Sequence, residues 1–167
     1  KNQENKVSEQ AVTIITNDGI LPYQLKPENK ILVISGEYPR NQLIKKHLND
    51  IARETETRIH VTAQKIKTDK KTLSEKKIST MISGQDIILL VTYNLRERDT
   101  NAQFIINSAN DAGIPLVVIS SRDPYDIASL SNVKANIAIY GITGFDITNG
   151  QRNALETNIR SGLRTLF

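Results

Sequence analysis

Residues 86–93, DIILLVTY, admit very few folds. Five consecutive apolar residues leave neither face of an extended strand for water. ILVISG (31–36) is a second run of the same kind, rich in β-branched residues. A strand buried on both faces belongs to a parallel sheet with helices above and below it. As the most apolar run of the chain, DIILLVTY is expected at the centre of that sheet.

The rest of the sequence fits this requirement. AVTIIT (11–16) reads as a first strand closed by the turn NDGILP, and RIHVTA (58–63) as a shorter strand with polar residues among the apolar ones. PLVVIS and ANIAIYG add two more, for six strands. Between them lie helical patterns. Ile44, Leu48, Ile51 and Ala52 form one apolar stripe, and Leu73, Ile78, Met81 and Ile82 a second that stops at Gly84. Ala102, Ile105, Ile106 and Ala109 form a third, ended by AGIP. Ala154, Leu155, Ile159, Leu163 and Leu166 mark the last helix, and YDIASL a short one. Strands alternating with helices make βαβ crossovers, so the predicted fold is an α/β three-layer sandwich. Its sheet is mostly parallel, with helices on both faces. The first strand leads into a turn rather than a helix, which suits an antiparallel edge.

A length of 167 residues predicts one domain, residues 11–167, with the polar stretch KNQENKVSEQ (1–10) as a linker or frayed helix end. Lys1 in place of Met predicts that the chain starts at a cleavage or engineered boundary. No apolar run is long enough to span a bilayer and no signal-peptide pattern opens the chain. Cysteine is absent, which excludes disulfides, thiolate zinc sites and cysteine nucleophiles. The net charge of +4 is local: KIKTDKKTLSEKK (65–77) carries six Lys against Asp69 and Glu75. That run holds neither Arg nor an aromatic residue, so it reads as a solvated helix flank with its approach loop, and no nucleic-acid partner is expected.

Ligands of open α/β sheets gather at the carboxyl ends of the strands. SGEYPRN, after the second strand, has one glycine where a dinucleotide loop needs three, and no Gly-Lys-Ser/Thr phosphate loop occurs. GITG (141–144) is a weak anion-binding pattern that reads first as a flexible turn. The acidic cluster of a phosphoacceptor domain is missing after ILVISG. His47 and His60 lack metal-ligand spacing and read as structural or surface residues. There is no G-x-S-x-G elbow. No cofactor, metal or catalytic residue is therefore assigned.

The remaining candidate site is RDPYD (122–126). Asp123 suits a helix N-cap, Pro124 the first helical position and Asp126 the first turn. Arg122 and Tyr125 are not explained by a helix start alone. Arg122, Asp123 and Tyr125 are accordingly candidate binding residues at a corner that either just starts a helix or also faces a neighbour.

AVTIITNDGILP, KILVI, DAGIPLVVIS and RDPYDIASLSNVKANIAIYG together resemble the second, C-terminal α/β-sandwich domain of glycoside hydrolase family 3. The similarity is closest to the bacterial β-N-acetylglucosaminidase branch and covers roughly residues 11–167. NALETNIRSGLRTLF resembles a helix that in the family runs on into a Gly and a Pro-x-Gly-Lys-Leu-Pro segment. The resemblance implies an N-terminal β/α-barrel partner in the same polypeptide. That barrel would supply the aspartate nucleophile of a retaining mechanism and a His–Asp acid/base pair. It implies carbohydrate as the parent's substrate, an extracellular or cell-wall location for the parent with a cytoplasmic one as alternative, and a chain that is inactive alone. The glutamate acid/base that the β-glucosidase branch places in this domain has no matching stretch here. The competing reading is a stand-alone small-molecule-binding or structural α/β domain.

Overall fold

The computed structural model describes residues 12–93, 95–121, 124–139 and 152–167. The stretch 1–10, expected as a linker, lies outside the described residues, as does GITG. In chain order the elements are β1 (Val12–Asn17), β2 (Asn29–Ser35), α1 (Tyr38–Glu54), β3 (Ile59–Lys65), α2 (Glu75–Ile82) and β4 (Ile87–Thr92). They continue with α3 (Asn101–Ala112), β5 (Leu116–Ser120), a 3₁₀ turn (Pro124–Ser129), β6 (Ala135–Ile139) and α4 (Arg152–Leu166).

The strands form one six-stranded sheet in the order β1-β6-β5-β4-β2-β3. β2 to β6 are parallel, and β1 runs antiparallel to β6 at the edge, as its turn predicts. Alternation along the buried strands sorts their side chains into two cores. Ile31, Val33 and Leu89 face α1 and α4, whereas Leu32, Ile34 and Leu90 face α2 and α3. Every residue of β4 is buried, which places DIILLVTY inside the sheet between β2 and β5.

Local chemistry sets the element ends. The Ser74 side chain accepts the Lys77 N–H at the start of α2, and Thr100 accepts the Gln103 N–H at the start of α3. Leu73 therefore lies ahead of the cap of α2, not inside the helix as its spacing suggests, although it still packs on the core. Gly113 ends α3 at φ 69°, the left-handed geometry that AGIP announces. At the turn after β1, Asn17 Oδ1 accepts the Ile20 and Leu21 N–H groups and Asn17 Nδ2 donates to the Leu21 carbonyl. In α4, Ile159, Leu163 and Leu166 are buried, while the side chains of Ala154 and Leu155 lie outside the described ones.

Candidate functional site

Chain order reverses between β2 and β4: β3 lies on one side of β2, and β4 opens the run toward β5 and β6 on the other. The crevice at such a switch point is where open α/β sheets hold ligands. Buried hydroxyls mark this carboxyl edge, with Ser35 ending β2, Thr92 ending β4 and Ser120 ending β5.

Arg40, in the first turn of α1, is a buried charged group of the crevice. It is only 4% exposed. Its Nη2 lies 3.3 Å from Glu37 Oε2, and its guanidinium stacks 5.3 Å from the centroid of the Tyr93 ring. Burial lowers its pKa, opposed by Glu37 and Tyr93, yet a guanidinium remains a cation throughout the working pH range. The arrangement clamps the β2–α1 turn onto the end of β4 and presents Glu37, which is half-exposed, at the rim. Beside it, Ser35 Oγ donates to Asn41 Oδ1 at 2.7 Å and Asn41 Nδ2 donates to the Gln64 carbonyl at 3.0 Å, joining β2, α1 and β3. These groups can orient a polar ligand. They do not pair a nucleophile with a base.

A second polar junction lies under the loop 66–74. Asn101, fully buried at the start of α3, uses all four of its hydrogen-bonding positions. Oδ1 accepts the Thr72 and Leu73 N–H groups at 2.9 and 3.1 Å. Nδ2 donates to the Lys67 carbonyl and to Thr72 Oγ1 at 2.8 and 2.9 Å.

Of the sequence-predicted site residues, Tyr125 projects from the 3₁₀ turn and is 76% exposed at the carboxyl end of β5. Arg122 and Asp123 lie outside the described residues. Asp126 does more than sit near a helix start: it is buried, and its Oδ1 accepts the Leu95 N–H at 2.6 Å, fastening the turn to the loop after β4. His47 is buried in α1, 4.0 Å from Asp50, and His60 is exposed beside Glu28 on β3. Among the described residues, no three His, Cys, Asp or Glu side chains converge to hold a metal, and no helix is long and apolar enough to cross a membrane. Sequence reasoning passed over Arg40, Asn41 and Asn101, although a signal was present. Each continues the apolar stripe of its helix at i, i+3 or i+4 from Ile44 or Ile105, so each is a polar residue on a buried face.

The molecule is thus a doubly wound α/β/α sandwich whose carboxyl edge carries the buried hydroxyls of Ser35, Thr92 and Ser120. No protein-family model matches the sequence, and no curated protein matches it. Solved structures do share the fold. A glycoside hydrolase family 3 β-N-acetylglucosaminidase from Paenibacillus sp. str. FPU-7 matches 97% of this chain with a TM-score of 0.63 at 19% identity. The β-glucoside phosphorylase BglX matches 97% of it at TM-score 0.57 and 17% identity. A β-glucosidase from Listeria innocua matches 99% at TM-score 0.62 and 12% identity. The chain spans only 29%, 28% and 25% of the length of those three proteins.

Proposed function

We propose that this chain is the C-terminal accessory domain of a retaining β-N-acetylglucosaminidase. In this reading the parent acts on cell-wall or related β-linked N-acetylglucosaminides. The nucleophile and the acid/base pair reside in a preceding β/α barrel, against which this domain packs. The observation that supports the reading best is the coverage: 97% of this chain corresponds to 29% of a family 3 β-N-acetylglucosaminidase, as a piece of a larger enzyme should. The same proposal takes residues 11–167 as the domain.

In the same proposal Arg122, Asp123 and Tyr125 face the neighbouring domain and border the sugar cleft. Tyr125 is 76% exposed, which leaves its ring accessible at this corner.

The deciding experiment assays this chain and the longer polypeptide containing it on 4-nitrophenyl N-acetyl-β-glucosaminide. Turnover is expected from the longer polypeptide alone. Turnover by the chain itself, or a longer polypeptide without a barrel, overturns the reading. In the active polypeptide, Arg122→Ala with Tyr125→Ala is expected to weaken domain association and activity together. Unchanged values would remove these residues from the interface.

A further inference from the structure

We propose that the connection between β3 and α2 is a docking platform for a carboxylated glycan chain. Residues 65–77 carry six lysines against Asp69 and Glu75, a surplus of four positive charges that equals the formal net charge of the whole chain. All six lysines are exposed. Lys71 pairs with Asp99 at 3.4 Å and lies over the Phe104 ring, whereas Lys65, Lys67, Lys70, Lys76 and Lys77 have no ion pair among the described residues.

A basic loop is ordinarily a floppy one. This one is fixed. Besides the four bonds to the Asn101 side chain, the Asn101 N–H donates to the Lys70 carbonyl at 2.9 Å and the Ala102 N–H to the Thr68 carbonyl at 3.2 Å. The Ile66 N–H donates to the Ser35 carbonyl at 2.9 Å, anchoring the other end to β2. The backbone that carries the charges is ordered by folding, so binding does not have to order it.

The chemistry of the run selects the partner. Nucleic-acid sites add stacking aromatics and arginines to their charge, and the run has neither. A membrane anchor needs apolar side chains turned outward, but Ile66 and Leu73 pack inward against the core shared with α2 and α3. Protein interfaces deplete lysine at their centres. Exposed lysine point charges suit a hydrated, flexible polyanion. The choice of a glycan as that polyanion rests on the glycosidase reading above.

The test is binding of polygalacturonate to this chain. Binding is expected at 50 mM salt, weakening on the order of tenfold by 200 mM as counterions compete. A Lys65→Gln, Lys67→Gln, Lys70→Gln variant should bind on the order of tenfold more weakly at an unchanged melting temperature, as expected for the loss of three ammonium–carboxylate contacts with their counterion release. A control with Lys26→Gln, Lys30→Gln and Lys134→Gln removes equal charge near the opposite ends of the strands and should bind like the parent chain. No binding at 50 mM, or equal weakening by both triple variants, overturns the platform. Tighter binding to a single-stranded oligonucleotide or to phosphatidylserine vesicles overturns the glycan assignment. Barrel-dependent turnover without polymer binding sinks this inference alone. Polymer binding with a longer polypeptide that has no glycosidase activity sinks the functional reading alone.

Discussion

Asn101 shows how much one buried amide can organise. Removing it orphans two N–H groups and a carbonyl of the loop 66–74 at once, and buried polar groups left unpaired are costly. Asn101→Ala is expected to lose about 2 kcal/mol in urea unfolding and to speed amide exchange at Thr72 and Leu73. Glu28 is the opposite kind of residue, exposed and electrostatic. It stands at φ 65°, accepts a hydrogen bond from His60 Nε2 and lies 3.6 Å from Arg58 Nε. The His60 bond first, and the Arg58 charge after it, hold its carboxyl below the usual 4.5. A carboxylate with a depressed folded pKa stabilises the fold above its unfolded value and loses that contribution as pH falls through the folded one. The Glu28→Gln variant should therefore melt below the parent at pH 6, with the gap closing as pH drops below about 4.5. Equal gaps at pH 6 and pH 3 would contradict this. The sequence carried a signal only for the burial of Asn101 and none for Glu28, and the partners of neither were legible because they are distant: Glu28 meets His60 across 32 positions and Asn101 meets Thr72 across 29.

At the level of elements, α4 meets β6 through a glycine. A methyl group on Gly162 would stand 2.6 Å from Ile139 Cδ1 and 2.9 Å from its Cγ1. Alanine normally improves a helix interior over glycine by about 1 kcal/mol, but overpacking a buried site costs roughly 1–3 kcal/mol. Gly162→Ala should thus destabilise the parent by about 1 kcal/mol. In an Ile139→Ala background, where the obstacle is gone, the same change should stabilise by about 1 kcal/mol. A double-mutant cycle with no change of sign would refute the close approach. Elements such as β2, β4, α1 and α3 were readable because their apolar periodicity is long and uninterrupted. The segment around YDIASL, read as a short helix, is a short helix of the 3₁₀ type, and Asp126 within it accepts the Leu95 N–H from the loop after β4. Periodicity carries no information about such a tie.

For the whole molecule, the alternation of strands and helices already specified layers and mostly parallel strands, and the turn after AVTIIT specified the antiparallel edge. Which strands become neighbours was beyond it, and with that the switch point where Arg40, Glu37 and Tyr93 meet. One consequence of that strand order concerns time. β1 is the earliest strand in the sequence and pairs with β6, the last, so Val12 faces Ile139 only after almost the whole chain is available. Contacts between such distant segments form late, since loop closure is paid before they reward it. An Ile137→Val substitution in this seam should cost about 1 kcal/mol, and stopped-flow kinetics should find that cost in faster unfolding at an unchanged folding rate. Slower folding would instead place the seam in the nucleus. The sheet is therefore a zip fastened last by its outermost teeth, and anything that pulls on the start of the sequence loads the contact that was made latest and lets go first.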